Sequence, residues 1–419
     1  MQYRDVIYQN HQKCRLCEHT DLSLVLELKP TPPANQFTST PGVEQPLIPL
    51  DLVRCNNCQH IQLRHVVSPE VLFKDYVYVS GTSAVFRQHF RDYANDIVNS
   101  FDLTGNDLVV DIGSNDGTLL GYFKEKNIKI LGIDPAKDIA EQANAKGIET
   151  INDFFSEDLA KQITSKYGYA KVIAANNAFA HIDDIQSVIR GVKCLLSDNG
   201  IFVFEVSYLL DVVKNNLFDT IYHEHLDYHA VSPLKKFFER HGLRFFKATR
   251  VGTHGGSLRG FVCHSDSNIP DEDSVEMLMQ IESEEKIFLD ETYKSISERI
   301  SSIGARLRRD LLEAKKNGLK VAGFGAPAKA TTLMYHFEIS PDLVDYIVDD
   351  SPWKQGLYTP GLHIPVVDSS VLYKSPPDYI VVLAWNFAKP IISKHSELMK
   401  EGSKFIVPLP ELVVHDHYH

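Results

Sequence analysis

Asp111-Ile-Gly-Ser-Asn-Asp-Gly117 follows the apolar run Leu108 to Val110 and precedes a helix-like segment, Thr118 to Lys126. An apolar run, a glycine turn and a helical period in that order predict a strand that turns into a helix beside a ligand. Gly113 and Gly117 let a ligand approach the backbone closely, and Asp111 at the strand end suits a cation or hydroxyls. A dinucleotide fingerprint reads Gly-x-Gly-x-x-Gly with an acid about 20 residues later. Here the acid opens the turn, and position 115 carries Asn115, not glycine. A second strand, Lys129-Ile-Leu-Gly-Ile-Asp134, ends in an acid placed for a ribose diol.

Outward from this turn, from Asn106 to about Leu210, strand and helix alternate. Apolar runs at Leu108–Ile112, Ile128–Ile133, Lys171–Ala175 and Ile201–Val206 predict a parallel sheet covered on both faces. Ligands of such sheets sit beyond the carboxyl ends of the strands. Asp111, Asp134, Asp153 with Phe154, Asn176 with Asn177, and Glu205 all fall at or just after those ends. That repeated coincidence is what a nucleoside pocket produces. His181, a few residues past a strand, reads on its own as a core or surface histidine.

Upstream, Cys14-x-x-Cys17 and Cys55-x-x-Cys58 each have the spacing that turns two thiolates toward one tetrahedral ion, so four sulfurs predict a structural zinc. A redox pair would need a single such motif next to a βαβ pattern. The loop between the pairs is rich in turn formers, among them Pro30, Pro32 and Pro33, and the nearby His60 and His65 read as core or surface residues. Asp75-Tyr-Val-Tyr-Val-Ser-Gly-Thr-Ser83 places hydroxyls and phenols around a glycine, so Tyr76 and Ser83 are candidates to line a site. Ser83 is also a candidate cap for a helix from Ala84 to Asn99.

Downstream, Phe218-Asp-Thr-Ile-Tyr-His-Glu-His-Leu-Asp-Tyr-His229 is the densest ionisable cluster in the chain. Tyr222, Glu224 and His225 offer a base, an acid and an orienting carboxylate. A metal held by His223 and His225 is the weaker reading. Val231 to His241 reads as an amphipathic helix. In Gly252-Thr-His-Gly-Gly-Ser-Leu-Arg-Gly-Phe-Val262, a glycine turn into a strand, Arg259 is a donor suited to phosphate or carboxylate. From Asp271 to about Asn317, Ile296, Ile300, Ile303, Leu307 and Leu311 recur at three and four, predicting one or two long helices that act as a strut. Gly323, Gly325 and Ala328, with Asp349 further on, do match a dinucleotide pattern, while Lys329 adds a positive charge at a helix start, suited to phosphate. The runs Lys354 to Gly361 and Val381 to Phe387 continue a doubly wound sheet that ends near Val407, and the tail after Pro410 reads as a frayed end.

At 419 residues the chain exceeds one core. With 43% apolar and 23% charged residues its composition is that of a soluble globular protein. It has no apolar run of spanning length and no signal-peptide layout, so a cytoplasmic protein is expected. A formal charge of -12 argues against nucleic-acid binding. Six cysteines, four of them in the paired spacing, argue against a disulfide scaffold.

The glycine turn and the acid at Asp134 resemble the nucleoside-binding half of class I S-adenosylmethionine-dependent methyltransferases. Nearly the whole chain, in order, resembles the sugar-nucleotide C-methyltransferases of deoxysugar biosynthesis. The residues that carry this are Cys14, Cys17, Cys55 and Cys58, the turn from Asp111 to Gly117, Tyr222-His-Glu-His225, His254-Gly-Gly-Ser-Leu-Arg259, Gly323 to Lys329, Lys354 to Gly361 and Trp385-Asn-Phe387. The resemblance implies an α/β protein: a zinc-binding module over residues 1–75, a class I methyltransferase domain with a Rossmann-like fold over 76–265, and a helical connector with a second Rossmann-like domain over 266–419. It implies that S-adenosylmethionine is held by Ser83, Asp111, Gly113, Asn115, Asp134, Asp153, Phe154, Asn176 and Asn177. The nucleotide diphosphate of a 4-keto-6-deoxy sugar would meet His254, Arg259, Gly325, Lys329, Asp349, Lys354, Tyr358, Trp385 and Asn386. Methyl transfer to C-3 of that sugar would proceed through an enolate. His225 is the expected base, since an unperturbed histidine near pKa 6.5 is suited to that work; Glu224 orients the site or handles a proton. Tyr76, Tyr222 and His181 are expected near the developing oxyanion. Two other enzyme readings are an N- or O-methyltransferase on a similar sugar and a nicotinamide oxidoreductase using the C-terminal glycines. A zinc-stabilised binding protein is the non-catalytic alternative.

Overall fold

Alternation of side chains along the central strands builds two cores at once. In a computed structural model, which describes residues 8–73, 81 and 84–417, Val109, Val172, Ala174, Ile201 and Val203 join Phe90, Tyr93, Leu120 and Phe123 in one cluster. Their neighbours Val110, Ile173, Ala175, Phe202 and Phe204 join Val188, Ile189 and Leu159 in the other. Strand residues alternate between faces, so a strand buried on both sides must be apolar throughout. The sheet has seven strands in the order Leu243–Val251, Ser257–His264, Leu196–Ser207, Ala170–Asn176, Leu108–Ile112, Lys129–Ile133, Thr150–Ile151. Those from Leu196–Ser207 to Thr150–Ile151 are parallel to their neighbours. The strands expected between Asn106 and Leu210 are thus parallel; the first two, which lie beyond that stretch and are joined by a short glycine turn at residues 252–256, pair antiparallel.

The cysteine module is a four-stranded sheet in the order Asp227–Tyr228, Ile61–Leu63, Ile48–Cys55, Leu22–Thr31. Its edge strand comes from the ionisable cluster of the central domain, with Asp227 opposite Gln62 and Tyr228 opposite Ile61. The long helix Asp290–Lys316 packs against the strands Leu22–Thr31 and Val321–Phe324 and the helix Leu209–Lys214, burying Tyr293, Ile296, Ile300, Leu307 and Leu311, so it ties the cysteine module to the C-terminal sheet. A shorter helix, Ser274–Glu284, precedes it.

The C-terminal sheet runs Val366–Val367, Tyr346–Val348, Val321–Phe324, Tyr379–Val382, Lys404–Val407, Val413–His415. The last strand overturns the frayed tail: Phe405 pairs with His415 and Val407 with Val413, antiparallel. Leu409 and Leu412, both buried, anchor the connection. Residues 354–361 form turns instead of a strand. Among the described residues no helix is long and apolar enough to cross a membrane.

Candidate active site

One cavity of about 750 Å³ lies where the three modules meet. Its first wall is the carboxyl edge of the central sheet. Gly113, Asn115, Asp134, Asp153, Phe154, Asn176 and Asn177 all line it. Gly113 adopts φ 71°, and an added Cβ would lie 2.6 Å from that of Ala178, so the turn admits no larger residue. Asn115 takes φ 50°, the left-handed region that asparagine tolerates. Its N–H donates to Asp134 Oδ2 at 2.8 Å, while Ala136 N–H donates to Oδ1 at 2.9 Å. Burial pushes the Asp134 carboxyl up and these two donors oppose it. Asp111 sits deeper, lining a small adjoining recess with Asn115 and Asn176. Burial, and then the Asp134 charge, push its carboxyl well above the usual range.

The second wall is the loop between the short helix Phe218–Thr220 and the strand Asp227–Tyr228. His181, Tyr222, Glu224 and His225 all face the cavity. His225 Nδ1 lies 2.8 Å from the Thr220 carbonyl, which can only accept, so Nδ1 carries the hydrogen. In the neutral ring Nε2 therefore keeps the lone pair, and the Tyr222 hydroxyl donates to it at 2.9 Å. The His181 ring lies 4.9 Å from that of His225. Glu224 is buried and accepts from Asn35 Nδ2 at 2.6 Å.

Not all of this cluster faces the ligand space. His223 points the other way, 3.3 Å from the Ile48 carbonyl, and burial pushes it down to about 4. His229 is equally buried and is also pushed down to about 4. His60 Nε2 binds Asp227 at 2.7 Å behind the same loop. The opposed directions of His223 and His225 leave no chelating pair.

The third wall belongs to the C-terminal domain and includes Ala328, Lys329, Trp353, Lys354, Asn386 and Phe387. Lys329 Nζ stands 3.7 Å from the centroid of the Trp385 ring, a cation–π arrangement. Lys354 Nζ donates to the Ala326 carbonyl at 2.8 Å. Gly325, at φ 86°, shapes the turn without lining the cavity: a Cβ there would lie 2.5 Å from that of Ala384.

Four residues expected to meet substrate have side chains outside the lining. Arg259 is committed to Glu205, at 3.1 and 3.0 Å, and lies over the Tyr93 ring. Burial pushes Glu205 up, but His89, Arg259 and Thr253 outweigh it and hold this carboxyl below its ordinary range. Asp349 spends both oxygens on the backbone N–H groups of Ala326 and Ser351, at 2.7 and 2.8 Å. Tyr358 pairs through its backbone with Thr38 and Pro365. Trp385 donates Nε1 to Asp219 at 2.5 Å. Tyr76, Ser83 and the side chain of His254 lie outside the described residues. Asn35, Phe90 and Trp353 line the cavity without having been singled out from sequence, and Phe387, quoted there only as the end of the Trp385-Asn-Phe387 motif, lines it too. Asn35 sat in a loop legible only as turn formers.

Behind the loop, the sulfurs of Cys14, Cys17, Cys55 and Cys58 all lie within 4.8 Å of one another. The pairs Cys14–Cys58 and Cys17–Cys55 are 3.5 and 3.4 Å apart. A tetrahedral zinc with bonds of about 2.3 Å requires sulfur separations of about 3.8 Å, so the set fits that ion. The Cys14–Cys58 contact pushes the Cys14 thiol up and the Cys58 thiol down, and burial pushes Cys55 up, so binding a metal here displaces thiol protons.

A parallel sheet with the antiparallel hairpin at its edge, an acid at the second strand end and a cavity over the carboxyl edge define a class I S-adenosylmethionine-dependent methyltransferase. Three family models cover the chain in succession: a zinc binding domain over residues 14–73, a methyltransferase domain over 86–247 and a C-methyltransferase C-terminal domain over 252–410. C-methyltransferase NovU of Streptomyces niveus is 35% identical over 401 residues, 95% of this chain and 96% of that protein. The chain belongs to this C-methyltransferase family, with zinc and S-adenosylmethionine as its cofactors. Two solved structures match over less than half of the chain. An S-adenosylmethionine-dependent methyltransferase from Clostridium acetobutylicum is 12% identical over 42% of this chain and 92% of its own, with TM-score 0.34. Magnesium protoporphyrin IX methyltransferase from Synechocystis is 14% identical over 47% and 92%, with TM-score 0.34.

Proposed function

We propose that the protein methylates C-3 of a nucleotide-linked 4-keto-6-deoxy sugar through an enolate. The observation that carries this reading is the single cavity shared by the nucleoside wall, a histidine with its tautomer fixed, and two lysines. A nucleoside diphosphate would bring its charge to Lys329 and Lys354, leaving the sugar beside His225. Carbon is a poor nucleophile unless it lies alpha to a carbonyl. His225 Nε2 takes the C-3 proton, and the electrons of that C–H bond become the C-3=C-4 enolate. As the substrate seats, the Tyr222 hydroxyl turns from Nε2 to the oxygen at C-4, where with His181 it donates toward the developing oxyanion, and Glu224 orients the site. Bound S-adenosylmethionine supplies an electrophilic methyl group, and its C–S bond electrons leave with sulfur as the C-3 bond forms. An N- or O-methyltransferase would need no enolate. Carbon-13 NMR of the product from labelled donor tests the choice: a C-methyl resonance on C-3 is expected, and an N- or O-methyl resonance would overturn the reading.

Asp134 is the proposed acceptor for the ribose hydroxyls. Its two backbone bonds fix the carboxylate at the cavity edge and leave further lone pairs for a diol. Asp134→Ala should weaken S-adenosylhomocysteine binding by about 1.5 to 3 kcal/mol, as for hydrogen bonds to a charged group. Calorimetry showing unchanged affinity would remove Asp134 from the site.

A further inference from the structure

A buried carboxylate between the catalytic loop and the C-terminal domain is left unused by the chemistry above. Asp219 is wholly buried. Its Oδ2 accepts from Trp385 Nε1 at 2.5 Å and lies 3.9 Å from Lys329 Nζ, while Oδ1 has no partner among the described residues. Burial raises this carboxyl, with Lys329, Trp385 and the backbone N–H groups of Asp219 and Thr220 opposing it, and burial lowers Lys329, with Asp219 opposing that. Taking a carboxylate and an ammonium out of water costs stability even when the two are paired. The position of Asp219 suggests what that cost serves.

Asp219 adjoins Thr220, whose carbonyl holds His225 Nδ1. The next carbonyl, that of Ile221, accepts from Thr332 Oγ1 at 2.8 Å. Thr332 belongs to the helix Ala328–His336, which also carries Lys329 into the cavity wall. Thr331 of the same helix donates to the Ala34 carbonyl at 3.2 Å, beside the Asn35 that binds Glu224. One helix thus presents an ammonium to the cavity and braces the loops that hold His225 and Glu224.

We propose that Asp219 is a positioning residue: with Trp385 it sets the Lys329 ammonium and the loop carrying His225 in one geometry, so that an anionic group seated at Lys329 is coupled to placement of the base. This rests on the reading that the C-terminal wall receives a nucleotide diphosphate. Asp219 is the only carboxylate within ion-pair distance of Lys329 among the described residues. In the complex a phosphate oxygen shares the ammonium, and the loop follows Asp219.

Two variants separate the parts of this arrangement. Asp219→Asn keeps an acceptor for the indole and removes the charge; Trp385→Phe keeps a ring beneath Lys329 and removes the indole donor. Each is assayed for kcat at saturating nucleotide 4-keto-6-deoxy sugar, and by calorimetry with thymidine diphosphate, uridine diphosphate and S-adenosylhomocysteine. The expected result for both is a kcat at least ten-fold lower, with nucleoside diphosphate affinity within three-fold of the unaltered enzyme or tighter, and S-adenosylhomocysteine affinity unchanged. A folded Asp219→Asn enzyme with unimpaired kcat would overturn the coupling, as would lost nucleoside diphosphate affinity with kcat retained. Should that variant fail to fold, Trp385→Phe decides by the same criteria. If the unaltered enzyme bound neither nucleoside diphosphate, the substrate reading itself would fall, and the coupling with it.

Discussion

The His225→Asn enzyme is expected to lose methyl transfer by about a hundred- to ten-thousand-fold, the range for removing a positioned general base. S-adenosylmethionine affinity should stay close to that of the unaltered enzyme, because the histidine acts on the transition state and the cofactor wall is made by other residues. The hydrogen bond from Nδ1 to the Thr220 carbonyl sharpens the expectation, since it fixes which nitrogen can accept a proton. Asparagine can imitate that donor but supplies no basic nitrogen at the Nε2 position. A His225→Asn enzyme that methylates at the unaltered rate would pass the role of base to His181 or Tyr222, both on the same wall.

Cys55→Ser is expected to remove zinc, solubility and activity together. Structural zinc contributes on the order of 10 to 16 kcal/mol to the folding of small zinc-binding peptides, so losing one thiolate endangers the whole module. The effect should reach the chemistry because the module's sheet takes Asp227–Tyr228, just beyond His225, as its edge strand. Asn35, from the same module, also binds Glu224. Metal analysis, thermal melting and turnover should fall in parallel. Pure, fully active protein without zinc would contradict this account.

Local patterns made much of this molecule legible in the sequence. The paired cysteines converge on one tetrahedron because their spacing confines them, and alternating runs of apolar residues marked the strands of the central sheet. Lys329 was read from its place at a helix start and does reach the cavity wall. What escaped reading was set by distant partners. Arg259 looked like a free anion donor, but Glu205 on the neighbouring strand claims it. Trp385 and Asp349 serve the turns and loops around the cavity, through Asp219 and the backbone of Ala326. The tail after Pro410 carries too little pattern to show the strand it adds beside Lys404–Val407. Nothing local in Phe218 to His229 distinguished His225, which faces the cavity, from His223 and His229, which are core residues.

The most direct test of carbon methylation is proton exchange without a methyl donor. The enzyme, S-adenosylhomocysteine and a nucleotide-linked 4-keto-6-deoxy sugar are incubated in heavy water, and the sugar is followed by proton NMR. If His225 forms the enolate as a distinct step, deuterium should enter C-3 faster than in the enzyme-free control, and the His225→Asn enzyme should show only the background rate. Deuterium entry at the same rate with and without His225 would contradict the assignment of the base, and no exchange above background in the unaltered enzyme would contradict a separate, reversible enolate step.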